Sequence, residues 1–322
     1  MKKVLGIGNA LIDTLVKLED DQFLEEMKLP KGSMQLVSQD DIIEIESKCE
    51  GLAKSMSGGG SAANTIHGLA GLGVETAFIG KVGKDELGDL FADDLYANNI
   101  RPFLLQGKSH SGHALAFVTA DSERTFTTYL GAALELCPED LQDHFFEGFD
   151  YLHVEGYLLQ NHLLLKTILT QARKSGLKVS LDLASFNVVE ENLDVLTEWV
   201  RDYVDILFAN EEEAKAFTGK EPEQALEEMA EVCEVAVVKT GKNGSLVRAG
   251  SEVYRIPAIY ALVLDTTGAG DAYAAGFLYG LAGDRPLEEC GRIASLMAGK
   301  VIEGMGAKIS LDGWEEIRKE LA

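Results

Sequence analysis

Asp265-Thr266-Thr267-Gly268-Ala269-Gly270-Asp271 is the stretch best suited to chemistry, a run of small residues that ends on a carboxylate. Beyond it Ala272, Ala275, Phe277, Leu278 and Leu281 recur at roughly helical spacing, and residues 260–264 before it are apolar and β-branched enough for a strand. A turn of this kind presents the unpaired N–H groups and the positive dipole end of a helix, and a phosphate binds there. Glycines let the backbone approach the ligand with no Cβ in the way, and Asp271 then stands where it takes a proton from an attacking hydroxyl. The chemistry implied is phosphoryl transfer. The plain alternative for Asp271 is a helix N-cap. For Asp265 and Thr267 it is a turn bonded to its own backbone, against hard oxygen ligands of a cation.

Gly58-Gly59-Gly60-Ser61-Ala62-Ala63-Asn64-Thr65 reads either as a flexible loop before a helix capped by Ser61 or as a place where a polar substrate touches backbone. Asn64, in the first turn, offers a donor and an acceptor to a pair of sugar hydroxyls. Asn210-Glu211-Glu212-Glu213 follows a strand-like run at its carboxyl end, where open α/β sheets place ligands, although an acidic first helical turn needs no ligand to explain it. Lys239-Thr240-Gly241-Lys242-Asn243-Gly244 follows another such run, and its Asn-Gly pair suits a hairpin turn. Arg124 is either a solvated charge beside Asp121 and Glu123 or a neutraliser of phosphate charge. Gly6-Ile7-Gly8 begins a dinucleotide fingerprint, but Leu11 stands where its third glycine belongs, which weighs against a nicotinamide-dependent oxidoreductase. The six histidines show no metal-ligand spacing.

Residues 58–65 and the DTxGAGD stretch at 265–271, about 200 residues apart, resemble in order the two signatures of the ribokinase/PfkB carbohydrate kinase family. Residues 6–13, 30–37 and 123–133 resemble its bacterial adenosine kinase-like branch. The resemblance implies Asp271 as the base, with the N–H groups of Gly268, Ala269 and Gly270 stabilising charge on the transferring phosphoryl group. It implies substrate contacts from Asp13, Gly59, Gly60 and Asn64, and ATP contacts from Thr240 and Gly241. Asn210 and Glu213 match its NxxE pattern, which implies that they place Mg²⁺ and phosphate through water. Asp265 and Thr267 match positions that often bind a monovalent cation such as K⁺. The activity expected is transfer of the γ-phosphoryl group of ATP to a hydroxymethyl group of a nucleoside or sugar, adenosine foremost. A ribokinase- or fructokinase-type sugar kinase is the alternative within the class, and a non-catalytic sugar or nucleotide sensor the alternative outside it.

The elements that must position these residues follow from short apolar runs at 4–7, 77–80, 151–154, 178–181, 206–209 and 235–239, alternating with helical periodicity such as 62–72 and 86–98. That pattern predicts a parallel α/β sheet flanked by helices, and the resemblance implies its ribokinase-like, doubly wound, mostly parallel form. Two stretches break the alternation: an irregular acidic segment at 13–38 that ends in a strand-like run, and a β-rich hairpin at 109–130 turning at 120–123. They predict a small β lid, leaving 1–12, 39–108 and 131–322 as the nucleotide- and substrate-binding domain. The chain has 322 residues, with 29 basic and 53 acidic side chains, and its net charge of -24 argues against nucleic-acid or anionic-membrane partners. Lys239, Lys242 and a divalent cation would offset that charge locally for an anionic cosubstrate. Cys49, Cys137, Cys233 and Cys290 form no CxxC pair and are expected as buried thiols. No apolar run is long enough for a membrane span, so a cytoplasmic monomer or homodimer is expected.

Overall fold

The apolar runs that alternate with helices pair in the computed structural model, which describes residues 1–119 and 123–321. In chain order the strands are β1 (Val4–Ile7), β2 (Leu11–Lys17), β3 (Met34–Leu36), β4 (Lys54–Gly59), β5 (Thr76–Val82), β6 (Ile100–Gln106), β7 (Gly112–Val118), β8 (Arg124–Tyr129), β9 (Tyr151–Glu155), β10 (Lys178–Asp182), β11 (Ile206–Asn210), β12 (Val235–Lys239), β13 (Ser245–Ala249) and β14 (Glu252–Ile256). The helices are α1 (Gln22–Glu26), α2 (Gln39–Lys48), α3 (Ser61–Gly71), α4 (Glu86–Ala97), α5 (His162–Lys174), α6 (Phe186–Tyr203), α7 (Glu211–Thr218), α8 (Pro222–Val232), α9 (Ala269–Ala282), α10 (Leu287–Val301) and α11 (Leu311–Leu321).

Nine strands form one sheet in the order β14-β13-β12-β11-β10-β9-β1-β5-β6, parallel except at the β12–β13–β14 edge. Burial on both faces explains the unbroken apolar runs: every residue of β5 and β9 is buried. One face packs on α5, α6, α7 and α8 around Leu152, Leu165, Val200 and Met229. The other packs on α3, α4, α9 and α10 around Ile66, Phe91, Phe277 and Met297. The helix α9 is apolar nearly all round because α3 and α10 cover it, which brings the α3 N-terminus to the start of α9.

Five strands form a second sheet, β3-β8-β7-β2-β4. Its hairpin pairs β7 with β8 antiparallel, as expected; the expected turn at Ala120, Asp121 and Ser122 lies outside the described residues. Its β2 alternates buried and half-buried positions, so Thr14 and Val16 face the cluster of Ile42, Ile45 and Phe117 beneath α2 while Asp13 and Leu15 face the other way.

Several sequence expectations change. Residues 13–17 belong to a strand, so the segment 13–38 is less irregular than its composition suggests. The second sheet also takes in β4, with α2 packed against it, from a region assigned to the main domain. Residues 260–264 form no strand: the sheet ends at β14, and Leu264 N–H donates instead to Ile302 O at 2.8 Å. Cys49 and Cys290 are buried, but Cys137 and Cys233 are only half-buried. Among the described residues no helix is long and apolar enough to cross a membrane.

Candidate active site

The helix α9 starts at Gly268, its N-cap, with φ 75°. A side chain there would be strained and would strike Ala307, so only glycine lets the loop turn so close to the segment after α10. Gly268 and Gly270 thereby present N–H groups at the positive end of a fourteen-residue helix, while Ala269 N–H donates to Thr266 O at 3.2 Å across the turn. Asp271 is the third residue of that helix and does not cap it, so the capping alternative falls. Its Oδ1 accepts from Ser61 Oγ at 2.7 Å and its Oδ2 from Asn64 Nδ2 at 3.0 Å, while Thr65 Oγ1 donates to its carbonyl at 3.2 Å. Ser61, Asn64 and Thr65 share one face of α3 by their three- and four-residue spacing. Ser61 is not the cap of α3 either; that is Gly60, at φ 96°, which frees the Ser61 hydroxyl to reach the carboxylate. Burial pushes the Asp271 carboxyl up to about 6; Ser61, Asn64 and Lys239 oppose the rise and Asp182 adds to it. A carboxylate of that strength is ionised at neutral pH and basic enough to receive a proton in a transition state.

On one side of Asp271 a cavity of about 580 Å³ is lined by Gly270, Lys239, Asp182, Glu213 and Gly241 among others. Asn210 and Glu213 form a reciprocal capping box at the start of α7: Asn210 N–H and Nδ2 each donate to Glu213 at 2.7 Å, and Glu213 N–H returns a bond of 2.9 Å to Asn210 Oδ1. Burial raises the Glu213 carboxyl, Lys239 lowers it, and Asp182 raises it further. Lys239 Nζ donates to Asp182 Oδ2 at 2.7 Å, and although burial disfavours its charge, Asp182 and Glu213 outweigh that effect and hold it protonated. Gly241 lines this cavity, whereas Thr240 lines a neighbouring one of about 570 Å³, with its N–H donating to Gly244 O across the β12–β13 turn at 2.8 Å. Among the described residues no three His, Cys, Asp or Glu side chains converge to cage a metal. One or two carboxylates facing a phosphate-sized space do suit Mg²⁺, which completes its shell with water and substrate phosphates.

Another cavity, of about 320 Å³, is lined by Asp13, Ser57, Ala114, Phe126 and Lys308 among others. A Cβ at Gly59 would fall onto the Asp13 carboxyl, which explains the glycine on β4 opposite β2. Arg124 reaches from β8 to the loop before α9, where it pairs with Asp265 and donates to Thr267 Oγ1 at 2.9 Å. Asp265 also accepts from Thr267 N–H at 2.8 Å and from Gly306 N–H. Burial disfavours its charge, yet these bonds, that of Arg124 largest, hold it below its ordinary value. The turn alternative for Asp265 describes this geometry, in which the Arg124 guanidinium and two backbone N–H groups engage its oxygens.

Of the expected residues, Asn210, Glu213, Gly241, Ala269, Gly270 and Asp271 line one cavity at the carboxyl ends of the parallel strands and the start of α9, whereas Asp13 and Thr267 line the 320 Å³ cavity and Thr240 a neighbouring one. The sequence left out Asp182, Glu155 and Lys308. Asp182 and Glu155 each end a parallel strand, a place that signals ligand contact. Glu155 is 1% exposed, accepts from Asn9 N–H at 2.9 Å and Ala62 N–H at 3.1 Å, and is pushed up to about 7 by burial against those bonds. Lys308 has no spacing signal.

An anion cradle beside a held carboxylate, at the mouth of a doubly wound sheet, defines a phosphotransferase. Residues 32–313 match the pfkB family of carbohydrate kinases, and the chain belongs to that family. An adenosine kinase from Sinorhizobium meliloti superposes with a TM-score of 0.87 at 36% identity, covering 100% of this chain and 99% of that one. A probable sugar kinase protein from Rhizobium etli superposes with a TM-score of 0.88 at 33% identity, covering 99% and 98%. An uncharacterized sugar kinase of Archaeoglobus fulgidus is 30% identical over 250 residues, 76% of this chain and 98% of its own. Membership makes the chain a PfkB-type carbohydrate or nucleoside kinase that uses ATP, typically with a divalent metal.

Proposed function

We propose that this kinase phosphorylates adenosine, with Asp271 as the base that takes the proton of the 5′-hydroxyl as the γ-phosphoryl group of ATP moves across the Gly268–Gly270 N–H groups. The Asp271 carboxylate, which lines the 580 Å³ cavity beside Gly270 and is bonded to Ser61 and Asn64, is the observation that carries the transfer. Asp13, Gly59, Gly60 and Asn64 hold the acceptor in the smaller cavity. Gly241, Thr240 and Lys239 receive the ATP phosphates and ribose in the larger ones. Glu213 and Asn210 hold Mg²⁺ through water, and that ion supplies charge neutralisation on the phosphates. The second sheet acts as a lid that keeps water from the phosphoryl group. Full-length likeness to the Sinorhizobium meliloti adenosine kinase, at the higher identity of the two structures, favours adenosine. The likeness to sugar kinases keeps ribose and fructose as the second reading.

The test is ADP formation from Mg-ATP with adenosine beside ribose, fructose and other nucleosides, with Asp271→Asn as the blank. Turnover of adenosine well above every sugar is expected. Turnover of a sugar alone retains the mechanism and replaces the acceptor, and ATP binding without turnover on any acceptor makes the protein a sensor. Running the assay with and without K⁺ reads whether a monovalent cation displaces Arg124 from Asp265 and Thr267.

A further inference from the structure

Behind the acceptor cavity lies a second, smaller one of about 170 Å³, lined by Asn64, His67, Asp94, Ala272, Lys308 and Trp314 among others. Lys308 lines both. Its Nζ is sealed from solvent and has no hydrogen-bond partner, as is Asn64 Oδ1 in the same cavity wall. A sealed ammonium is costly unless opposite charge surrounds it. The carboxylates that act on it are those of Asp94 on α4, Asp13 on β2 and Asp271 on α9. Asp94, the first of these, also stands 2.9 Å from His67 of α3, but burial keeps that imidazole from charging readily, so Asp94 shares Lys308 with Asp13 and Asp271. Asp271 is held by Ser61 and Asn64, and its charge disfavours that of Asp13.

We propose that Lys308 is a positioning residue of the acceptor site, whose ammonium lets the carboxylates of Asp13 and Asp271 stand ionised together, one to receive acceptor hydroxyls and one to take the proton. The inference rests on the reading of Asp13 as acceptor ligand and Asp271 as base. Burial raises the Asp13 carboxyl and Asp271 raises it further, while Lys308 and, more weakly, His113 of β7 pull it down. Arg124, the other cation at this cavity, is committed to Asp265 and Thr267. Lys239 acts on Asp271 from the far side. Without the ammonium, Asp13 takes up a proton in the range where Asp271 must be bare, and a protonated Asp13 can no longer accept bonds from two hydroxyls.

The test follows the Asp13 carboxyl directly, in full-length protein carrying ¹³Cγ-labelled aspartate, with Asp13→Asn to assign the resonance. In Lys308→Gln the Asp13 midpoint is expected to rise by about one pH unit, and in Lys308→Arg to return to the wild-type value. KM for the acceptor of Lys308→Gln then rises below that midpoint while kcat at saturation changes little. An unmoved midpoint in folded Lys308→Gln overturns the proposal. If that variant does not fold, ¹³Cε-labelled lysine in Asp13→Asn serves instead: the Lys308 midpoint falls when its partner is removed, and an unmoved one overturns the proposal equally. These titrations need no turnover, so a failure of the kinase reading shows in the acceptor panel and not here.

Discussion

Asp271 carries the sharpest consequences at the scale of single residues. Its carboxyl is raised from an ordinary 3.8 to about 6, so ionising it works against the fold and the cost grows as pH rises through that interval. Asparagine keeps the bonds from Ser61 Oγ and removes the charge. Asp271→Asn should therefore melt at or above the wild-type temperature at pH 8 and lose that advantage near pH 4, while its rate of ADP formation falls by about 10²–10⁴. A thermal scan across pH beside the kinase assay checks both, and undiminished activity refutes the base. For the wild type the same value predicts an acid limb near pH 6 in kcat/KM, measured from pH 5 to 8. Asp271, Asn64 and Gly268 were legible because their types repeat in short runs that have a local physical meaning. For the hydroxyl of Ser61 the sequence offered only a helix cap, as one alternative for its loop, because its partner lies 210 residues away and no spacing rule reaches that far. Lys308 was invisible for the same reason: only the packing of α3, α4 and α9 shows what surrounds it.

Elements tell a similar story, since periodicity reports burial but not partners. The strands buried on both faces were read within a residue or two, β5 and β12 among them, because nothing else explains their apolar runs. Residues 260–264 share that composition, yet they pair with no strand, Leu264 bonds to Ile302 instead, and Tyr260 stands 87% exposed. Conversely β2 was taken as irregular because Asp13, Thr14 and Lys17 interrupt it, although its alternation is that of a strand with one face on α2 and the other at the site. The pairing of β2 with β4 is what sets the Asp13 carboxyl over Gly59. Gly59→Ala forces these two strands apart at the acceptor cavity. A loss of about 1–3 kcal/mol in stability is expected from the overpacking, read by urea unfolding. A rise of tenfold or more in acceptor KM, with ATP KM nearly unchanged, is expected beside it. Equal rises in both constants would show that the strain spreads to α9 rather than staying at Asp13.

For the molecule as a whole, the question is how two sheets with separate cores act as one enzyme. Arg124 belongs to the small sheet, and its partners Asp265, Thr267 and Met305 belong to the loops that flank α9 and α10. Both members of the ion pair are largely buried, Arg124 at 12% and Asp265 at 1% side-chain exposure, so removing one leaves the other uncompensated. Arg124→Met keeps the apolar reach of the side chain but not the charge, and a loss of about 3 kcal/mol is expected from the stranded Asp265. Stability alone would describe any buried pair. A bridge that holds the small sheet closed over the phosphoryl group predicts something further, because water then competes with the acceptor once the bridge is gone. In Arg124→Met the ADP formed should exceed the phosphorylated acceptor, whereas in the wild type the two should match mole for mole, as measured by chromatography of both products in one reaction. Loss of both in equal proportion would assign Arg124 to the transfer step itself, and retention of the match with only a lower melting temperature would leave it a structural tie.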